Sequence, residues 1–576
     1  MSEENRRARG EHPILSPVQH EAPDSVGKKT GGAQMASGYG NHGASTTKNA
    51  FLGWIIGGGA PDDDIDLNAS TLRQRARDLD MGGGIPRSAV ATETTTVIGT
   101  GMIPKPSIDY EALGISKEQA QEWEKITKRE FEFWAGRKFC DAAERKNFYQ
   151  IQSLAYRSFL VSGDVIALLP MFDSPGTPYT LHVQLLEADR LATPESGGES
   201  TTEETTGGGR IIDGVEIDQN GRVVRYHIAS RHPHSENQSG EIVYTPIDAY
   251  GKDTGMPNVL HVYVPERPEQ YRGVPMVAAI IEKSKQLDRY LNAELMANVV
   301  ASMFTLFIVS DGDNTIDTSE LVDAVSEENR VTADPTKLHL SGGSIYELSA
   351  GKKPIAVNPM RPNSAFAAFV DAFCTQLGAS IEMPKEILLK AFTKSYSASR
   401  AALTEYWRKI PRARRDFIAD FCQPIYEAFL AEAVAIGRIK APGFFEDPFK
   451  RWCYSKCQWI GSTMQQLDPL KEVQAAKERI ALNISTEERE AAEFNGSDWE
   501  ENISQREKEL EALLALKTAL AAKLGTEQTE ETGPYSDEPN DGDEDGDDDE
   551  NAEEETDNAK EDEQRWYAEH NGRNDE

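Results

Sequence analysis

The chain has 576 residues, of which 38% are hydrophobic and 8% aromatic, and its formal net charge is −35. This length exceeds what one hydrophobic core usually organises, so about two to four domains are expected. The longest apolar run, residues 296–309, is too short and too interrupted by polar residues to span a bilayer, and no apolar signal-peptide segment opens the chain. We therefore expect a soluble protein made in a cytoplasm, without membrane contact.

The negative charge is concentrated near one end. Residues 527–576 contain 23 acidic and 3 basic residues, a net charge of −20, so the other 526 residues carry −15. A segment of this composition cannot bury a core and is expected to be a disordered acidic tail. The mildly acidic body disfavours ordinary nucleic-acid binding, because that binding gains affinity when Lys and Arg neutralise phosphates. Acidity does not exclude DNA that slides past the protein.

The cysteines and histidines do not suggest a metal site. The five cysteines are scattered, and in a cytoplasmic protein an odd number favours reduced thiols. Cys453 and Cys457 have no second Cys or His pair nearby, whereas zinc takes about four ligands. We therefore interpret both as small core residues, and His232 and His234 as loop residues. No cofactor is expected.

The first third of the chain is predicted to be mainly helical. Residues 1–50 lack periodicity and are expected to form a disordered arm, followed by a small apolar anchor at 51–56. Ser70 is a plausible N-cap for a helix over 71–79, which glycines 82–84 and Pro86 would end. Further helices are predicted over 87–97, after a capping box of Ser116 and Gln119, and over 148–161. Gly99 and Gly101 could belong to a phosphate-binding loop, but no Gly-Lys-Ser/Thr follows them. We therefore interpret these glycines as residues that end a helix.

A β-rich region is predicted next, up to about residue 265. A buried strand over 165–169 opens it, and residues 196–209 form a polar loop. The other predicted strands of this region are 182–186, 211–217, 223–228, 242–245 and 259–264.

A long helix is predicted from Pro275 to Met303, with apolar residues at helical spacing. Its 29 residues would span roughly 43 Å at about 1.5 Å per residue. A polar segment follows, with strands predicted near 337–340 and 345–348.

The stretch Asn358–Cys422 combines a proline-containing loop with two helical runs. The loop consists of Asn358, Pro359, Met360, Arg361, Pro362, Asn363 and Ser364. The first helical run follows it, with Gly378 at its end, and a turn at Met383-Pro384 leads to the second run. That second run carries five basic side chains: Arg408, Lys409, Arg412, Arg414 and Arg415. A solvated helix face or ion pairs to neighbouring acidic subunits is the favoured interpretation of these five, and contact with a DNA backbone is the alternative.

The remaining chain is predicted to be helical, apart from a compact segment around Trp452 and Trp459. One helix covers 424–436, a second is capped by Ser485 with Glu488, and a third continues over 503–524.

Several short phrases follow one another between residues 60 and 510: Arg75–Leu79 with Gly101, Gln184–Leu191 with Pro194, Arg272–Pro275, Leu287–Tyr290 with Glu294, Leu377-Gly378, Tyr396–Arg400, Glu405–Arg408, and Trp459–Gly461 with Asp468-Pro469 and Lys471-Glu472. Their order and spacing resemble the lambda-type portal proteins of tailed bacteriophages. The arm and the acidic tail lie outside the resemblance.

The resemblance implies an α+β, mainly helical portal fold that assembles into a ring, usually of twelve subunits, at one capsid vertex of the virion. Double-stranded DNA would pass through the ring without sequence-specific binding. Implied partners are the terminase large subunit, the major capsid or scaffold protein, and head-completion and tail connector proteins, with assembly in the host cytoplasm. The implied parts are a wing over 51–274, a stem helix over 275–303, a clip and return segment over 304–350, a tunnel loop with long helices over 351–423, and a C-terminal wing and crown region over 424–526.

Under this resemblance, Asn358–Ser364 would be the tunnel loop that projects into the DNA channel. A ring protein of this kind needs no catalytic residue, and the sequence contains no Walker A, HExxH or nucleophile-elbow motif in a suitable setting. The missing motifs disfavour the alternative of a packaging ATPase or nuclease. An acidic decoy or chaperone-like binder, with the tail as its active part, is a third hypothesis.

Overall fold

The computed structural model describes residues 48–51, 53–54, 57–194, 202–204, 209–235, 240–303, 365–392, 395–464 and 469–524. The described chain divides into two units, one up to Ser497 and one from Asp498 onward. The predicted N-terminal arm (apart from residues 48–50), the segment 304–350, the loop Asn358–Ser364 and the acidic tail lie outside the described residues.

The first unit opens with helices that flank a short strand. A π-helical turn, Asp62–Asp66, runs directly into the first helix. The helices up to residue 162 are α1 (Leu67–Gly82), α2 (Gly84–Val97), α3 (Tyr110–Leu113), α4 (Lys117–Ala135) and α5 (Phe148–Ser162). Capping boxes of Ser116 with Gln119 and of Asn147 with Gln150 fix the starts of α4 and α5.

Three antiparallel sheets follow from the strand pairings. The strands are β1 (Ile103–Pro106), β2 (Asp164–Leu168), β3 (Gln184–Leu186), β4 (Thr202–Glu204), β5 (Arg210–Ile212), β6 (Val215–Ile217), β7 (Val223–Ala229), β8 (Tyr244–Asp248), β9 (Val259–Tyr263) and β10 (Cys457–Ile460). Strand β1 pairs with β10, the order of the second sheet is β3-β2-β9, and the third is a meander from β4 to β8. The β1–β10 pair therefore joins the two ends of the first unit.

The second half of the first unit is again mainly helical. Its helices are α6 (Ile281–Met303), α7 (Phe366–Ser380), α8 (Lys385–Leu389), α9 (Tyr396–Trp407), α10 (Ile410–Phe417), α11 (Gln423–Ala435), α12 (Pro448–Ser455), α13 (Pro469–Ala481) and α14 (Glu487–Asn495). A π-helical turn, Ile418–Cys422, connects α10 to α11. From Tyr396 to Ala435 the backbone is thus helical apart from the short break at residues 408–409.

Two hydrophobic cores hold this unit together. The larger is aromatic, and Phe131 lies at its centre, with ring centroids of Phe429 at 5.1 Å and Phe148 at 5.7 Å. Both of these contacts are edge-to-face, a geometry that aromatic pairs favour. The smaller core lies in the β-rich region and includes Ile166, Val215 and Ile228.

The second unit contains helix α15 (Trp499–Leu524). Large apolar side chains are exposed along it: Ile503, Leu510, Leu513, Leu514 and Leu516. The prediction of a helix over 503–524 is confirmed, although the helix begins four residues earlier.

Several predicted boundaries are wrong. The predicted strand over 211–217 is a hairpin of β5 and β6, because Asp213 and Gly214 adopt positive φ values of 40° and 87° and turn the chain. Strand β4 lies inside the predicted polar loop 196–209, and the strand predicted over 242–245 begins at Tyr244.

The helix starts were also displaced. Helix α1 begins at Leu67, so Ser70 lies within it and is not its N-cap. Gly83 separates α1, which ends at Gly82, from α2, and Pro86 lies in the first turn of α2, where it costs no intrahelical hydrogen bond. The cap of α14 is Thr486, one residue after the predicted Ser485, and its side chain accepts from the Arg489 N–H.

Candidate functional site

Of the five basic residues, Arg408 and Lys409 lie in the break between α9 and α10, and the other three lie in α10. Pro411 lies in the first turn of α10, where its missing N–H breaks no helical bond. This proline allows the chain to restart a helix directly after the break at residues 408–409. The five cations therefore lie in the break and on α10, and their side chains point in different directions.

Two of the five predicted cations contact helix α2 of their own chain. Lys409 Nζ lies 3.0 Å from a Glu93 carboxylate oxygen and 5.1 Å from the centre of the Tyr406 ring. Arg414 donates to the carbonyl oxygens of Thr96 and Val97, at 2.8 and 2.7 Å. These carbonyls end α2, a position where a cation satisfies free acceptors and opposes the helix dipole. Lys409 and Arg414 therefore hold α9 and α10 against α2.

The other three predicted cations face outward. The side chains of Arg408, Arg412 and Arg415 are 73%, 76% and 75% exposed. Among the described residues, the acidic partners of these three are local: Arg408 lies 2.7 Å from Glu405, and Asp416 is 3.8 and 2.8 Å from Arg412 and Arg415. Exposed pairs of this kind contribute at most about 1 kcal/mol. These three arginines are available to an external partner.

A polar contact inside this junction is buried. Tyr406 donates to the Glu93 carboxylate at 2.8 Å, and that carboxylate also meets Lys409. Burial and the negative charge of Glu93 raise the pKa of Tyr406 well above its ordinary value. Tyr406 therefore stays protonated and serves as a hydrogen-bond donor.

Helices α6 and α7 present an apolar surface next to the segment that contains the predicted tunnel loop. Tyr290 of α6 packs on Phe369 of α7, with ring centroids 4.7 Å apart. Phe369 is 46% exposed nevertheless, and Leu295 and Met296 of α6 are 62% and 60% exposed. Side chains of this size exposed together on adjoining helices are typical of an interaction surface.

A buried charge network around Arg272 was not predicted from the sequence. The Arg272 side chain has 0% exposure, and it donates to Asp164 at 2.6 Å and to Asp213 at 2.5 Å. Its other hydrogen bonds go to the backbone carbonyl oxygens of Ala188, Leu191 and Asp213. One guanidinium thus ties together the start of β2, the β5–β6 turn and the segment after β3.

The charges in this network determine which groups are ionised. Burial alone would raise the pKa of Asp164, but Arg272 and His261 lower it below its usual value. Burial lowers the pKa of His261, against the opposing effect of Asp164. Burial raises the pKa of Asp66 to about 7, although Arg272 opposes this. Asp66 is therefore the group of this network that titrates near neutral pH.

The residue after Arg272 is tightly constrained. A Cβ atom on Gly273 would lie 1.9 Å from the carbonyl oxygen of Gly163, so only glycine permits this approach of two backbones. The partners of Arg272 are 59 and 108 residues away in the sequence. No local pattern could therefore have identified the network. The sequence motif Arg272–Pro275 contains its central residue.

Glu187, Asp189 and His232 bring potential metal-ligand atoms within 4.8 Å of one another. Arg73 and Arg77 already pair with Asp189. Two arginine charges at one carboxylate oppose a further cation, so we interpret the group as an ion-pair cluster. His232 lies in a loop, as predicted.

Within the described ranges, no helix has the length and apolar character needed to cross a membrane.

Comparison with known proteins gives three results. Residues 47–414 match the family described as "Phage portal protein, lambda family". The chain is 24% identical over 491 residues to the portal protein of Escherichia phage N15, which covers 80% of this chain and 88% of that protein. It is 23% identical over 497 residues to portal protein B of Escherichia phage lambda, with 82% and 89% coverage. Among solved structures, it resembles a chain in the neck of a native gene transfer agent particle computed with C12 symmetry, at 12% identity, 74% and 92% coverage and a TM-score of 0.38.

Proposed function

This chain belongs to the lambda family of phage portal proteins, and we propose from this premise that twelve copies form a ring at one vertex of a phage capsid. Double-stranded DNA passes through the ring during packaging and ejection. The observation that carries the proposal is the family match over residues 47–414, which includes the helices beside the predicted tunnel loop. The protein is a structural component of the virion.

We assign the parts of the ring subunit along the chain. Residues 51–274 form the wing, the segment 275–303 with helix α6 forms the stem, and 304–350 forms the clip and return segment. The tunnel loop with its long helices covers 351–423, and 424–526 forms the C-terminal wing and crown region. The order of the described elements supports this assignment, since α6 and α7 flank the segment given to the clip and the tunnel loop.

The apolar surface of α6 and α7 is the proposed contact between neighbouring copies. Leu295, Met296 and Phe369 are exposed in the single chain. Burying a Leu or Met side chain stabilises an interface by about 1.5–3 kcal/mol. Each copy of a ring contributes the same contact. The total stabilisation by a small apolar surface therefore increases with the number of subunits.

Neighbouring copies must also overcome repulsion, since each chain carries a charge of −35. The outward-facing Arg408, Arg412 and Arg415 are suited to ion pairs with an acidic neighbour. Contact with the DNA backbone would give the channel a salt-dependent affinity for DNA, although DNA must slide through it. We therefore assign these three arginines to contacts between subunits rather than to DNA.

The loop Asn358–Ser364 is the proposed part that meets DNA, and it acts by position rather than by chemistry. The outer face of the ring docks the terminase large subunit during packaging and head-completion and tail connector proteins afterwards. The major capsid or scaffold protein surrounds the ring at the vertex, and assembly takes place in the host cytoplasm.

Deleting Pro359–Asn363 tests the role of the loop. We expect the variant chains to assemble rings as the unchanged chain does, while particles built with them retain several-fold less DNA. Removing Thr205 and Thr206, between β4 and β5, is the control; it leaves three glycines, 207–209, to connect the two strands and should leave both quantities unchanged. Ring formation is measured by electron microscopy and DNA by the amount per purified particle. Normal DNA filling in the loop deletion would remove the loop from the mechanism.

A further inference from the structure

Three large aromatic side chains are exposed within the eight residues 445–452, near the end of the first unit. Phe445 lies in the loop before α12, and Phe449 and Trp452 lie on α12, with 59%, 56% and 54% exposure. The rings of Phe449 and Trp452 are 5.7 Å apart. The next residues of the helix, Cys453 and Tyr454, are buried, so α12 is anchored and its outer side remains apolar. We name Phe445, Phe449 and Trp452 the aromatic patch.

The surroundings of the aromatic patch are basic, although the chain is acidic. Residues 436–456 contain five basic and two acidic side chains. Lys456 Nζ lies 4.2 Å above the centre of the Trp452 ring, a cation–π geometry. The stem of Lys450 lies beside Gly443, and Arg451 lies 5.9 Å from the centre of the Phe444 ring.

Part of this positive charge lacks an acidic partner. Lys456 pairs with Asp109 at 2.7 Å, and Arg438 with Glu130 at 2.6 Å. Among the described residues, no carboxylate lies within 4.0 Å of the side-chain nitrogens of Lys440, Lys450 or Arg451. Lys450 and Arg451 lie on the same helix as Phe449 and Trp452, and cations without carboxylate partners on such a helix fit an occupant that is both acidic and partly aromatic.

We propose that the aromatic patch binds the acidic segment 527–576 of a second copy of this chain. That segment carries a net charge of −20 and also contains Tyr535, Trp566 and Tyr567. Its carboxylates match the unpartnered cations, and its aromatic side chains match the exposed rings. Next to the other basic run, 408–415, Tyr406 is buried and Trp407 is half-buried, so that run matches mainly the charge.

The length of the segment permits contact with a neighbour. Fifty residues can reach at most about 180 Å when fully extended. In an assembly of identical chains, every patch would meet several such segments at high effective concentration. The contact therefore acts as a salt-sensitive link between copies.

Zero-length carbodiimide cross-linking tests this link. Isotope-labelled and unlabelled full-length chains are mixed, allowed to associate, and treated with a reagent that joins lysine amines to carboxylates. Mass spectrometry then distinguishes links between copies from links within one copy. We expect labelled-to-unlabelled links from 527–576 to Lys440, Lys450 or Lys456, at least about fivefold above those to the exposed Lys390. High salt should abolish the difference.

A double variant, Phe449→Ser with Trp452→Ser, tests the aromatic part. Because both side chains are exposed, the fold should persist, as circular dichroism can verify, while the links between copies fall about fivefold. Phe392→Ser, at a residue of 50% exposure away from α12, is the matched control and should leave the links unchanged.

Three results would overturn the inference: equal linking to Lys390, links confined to single copies, or an undiminished yield in the double variant. The link is separate from the proposed function, because the ring contacts assigned to α6 and α7 do not involve the tail. Rings without these cross-links would reject only the link, and cross-linked copies without rings would reject only the ring.

Discussion

At the scale of single residues, Arg272 connects the helical and β-rich parts of the first unit. Its guanidinium satisfies Asp164 and Asp213 in a site with 0% exposure, and three backbone carbonyls accept its remaining hydrogens. A buried ion pair adds little net stability when it forms, but removing one partner leaves an uncompensated buried charge. Replacing Arg272 should therefore lower the free energy of unfolding substantially.

Replacing Arg272 by Met leaves Asp164 and Asp213 buried without their cation, and we expect a loss of about 3–5 kcal/mol in the free energy of unfolding. The denaturation midpoint of the first unit, followed by circular dichroism in urea, measures the loss. Arg225→Met is the control, since that side chain is 46% exposed and pairs at the surface with Asp248; it should cost at most about 1 kcal/mol. Equal midpoints in both variants would show that the network does not hold the fold.

Asp66 makes stability depend on pH in the direction opposite to that of most carboxylates. Its folded pKa of about 7 lies above the unfolded value of 3.8, so the folded state binds more protons between these values. This contribution is complete below about pH 4 and is lost as the pH rises through 7.

Asp66→Asn should therefore gain stability relative to the unchanged chain between pH 5 and pH 8, by roughly 3 kcal/mol at most. Asp78→Asn, at a side chain that is 72% exposed, is the control and should show no such gain. Urea midpoints measured at both pH values test this, and a stability difference that does not change with pH would contradict the assignment.

Residue types along the chain could predict local contacts but not distant ones. The capping box of Ser116 and Gln119 was predicted because both partners lie within one helical turn. The Asp213-Gly214 turn was missed although Asp-Gly is a hairpin signal, because the apolar residues on both sides suggested one continuous strand. The Arg272 network joins segments that are far apart in sequence, so no periodic pattern of residues predicts it.

At the scale of elements, α6 shows how tertiary contacts can displace the start of a helix from the residue that the sequence predicts. Pro275 favours the first turn of a helix, and the helix was predicted from there. In the structure, the N–H of Met276 instead donates to the Leu160 carbonyl at 2.9 Å, and Val277 is buried. These contacts tie the segment to α5, so a 3-10 turn, Ala278–Ile280, precedes the helix at Ile281.

The apolar surface of α6 and α7 leads to a prediction about assembly. Leu295→Asp places a charge in the proposed contact between copies, and we expect half-assembly to require at least tenfold more protein, which corresponds to about 1.4 kcal/mol per contact. Light scattering against protein concentration measures this. Val243→Asp changes an apolar residue of similar exposure in the β-rich region and should assemble normally. Unchanged assembly of Leu295→Asp would place the contact elsewhere.

At the scale of the whole molecule, charge and assembly oppose each other. Twelve copies at −35 each would carry −420, so apolar and ion-pair contacts between copies must outweigh their repulsion. The α+β, mainly helical fold class was predictable, because long periodic segments and capping residues are local signals. The tunnel loop, Asn358–Ser364, and the subunit number remain predictions, since both depend on contacts beyond one chain.

Electron microscopy of the purified full-length chain tests the central claim most directly. We expect closed rings with a central opening and twelve-fold rotational symmetry, favoured by higher salt because salt screens the negative charge between copies. Single copies without rings, across the range of salt and protein concentration, would contradict the proposal that this chain forms a portal channel.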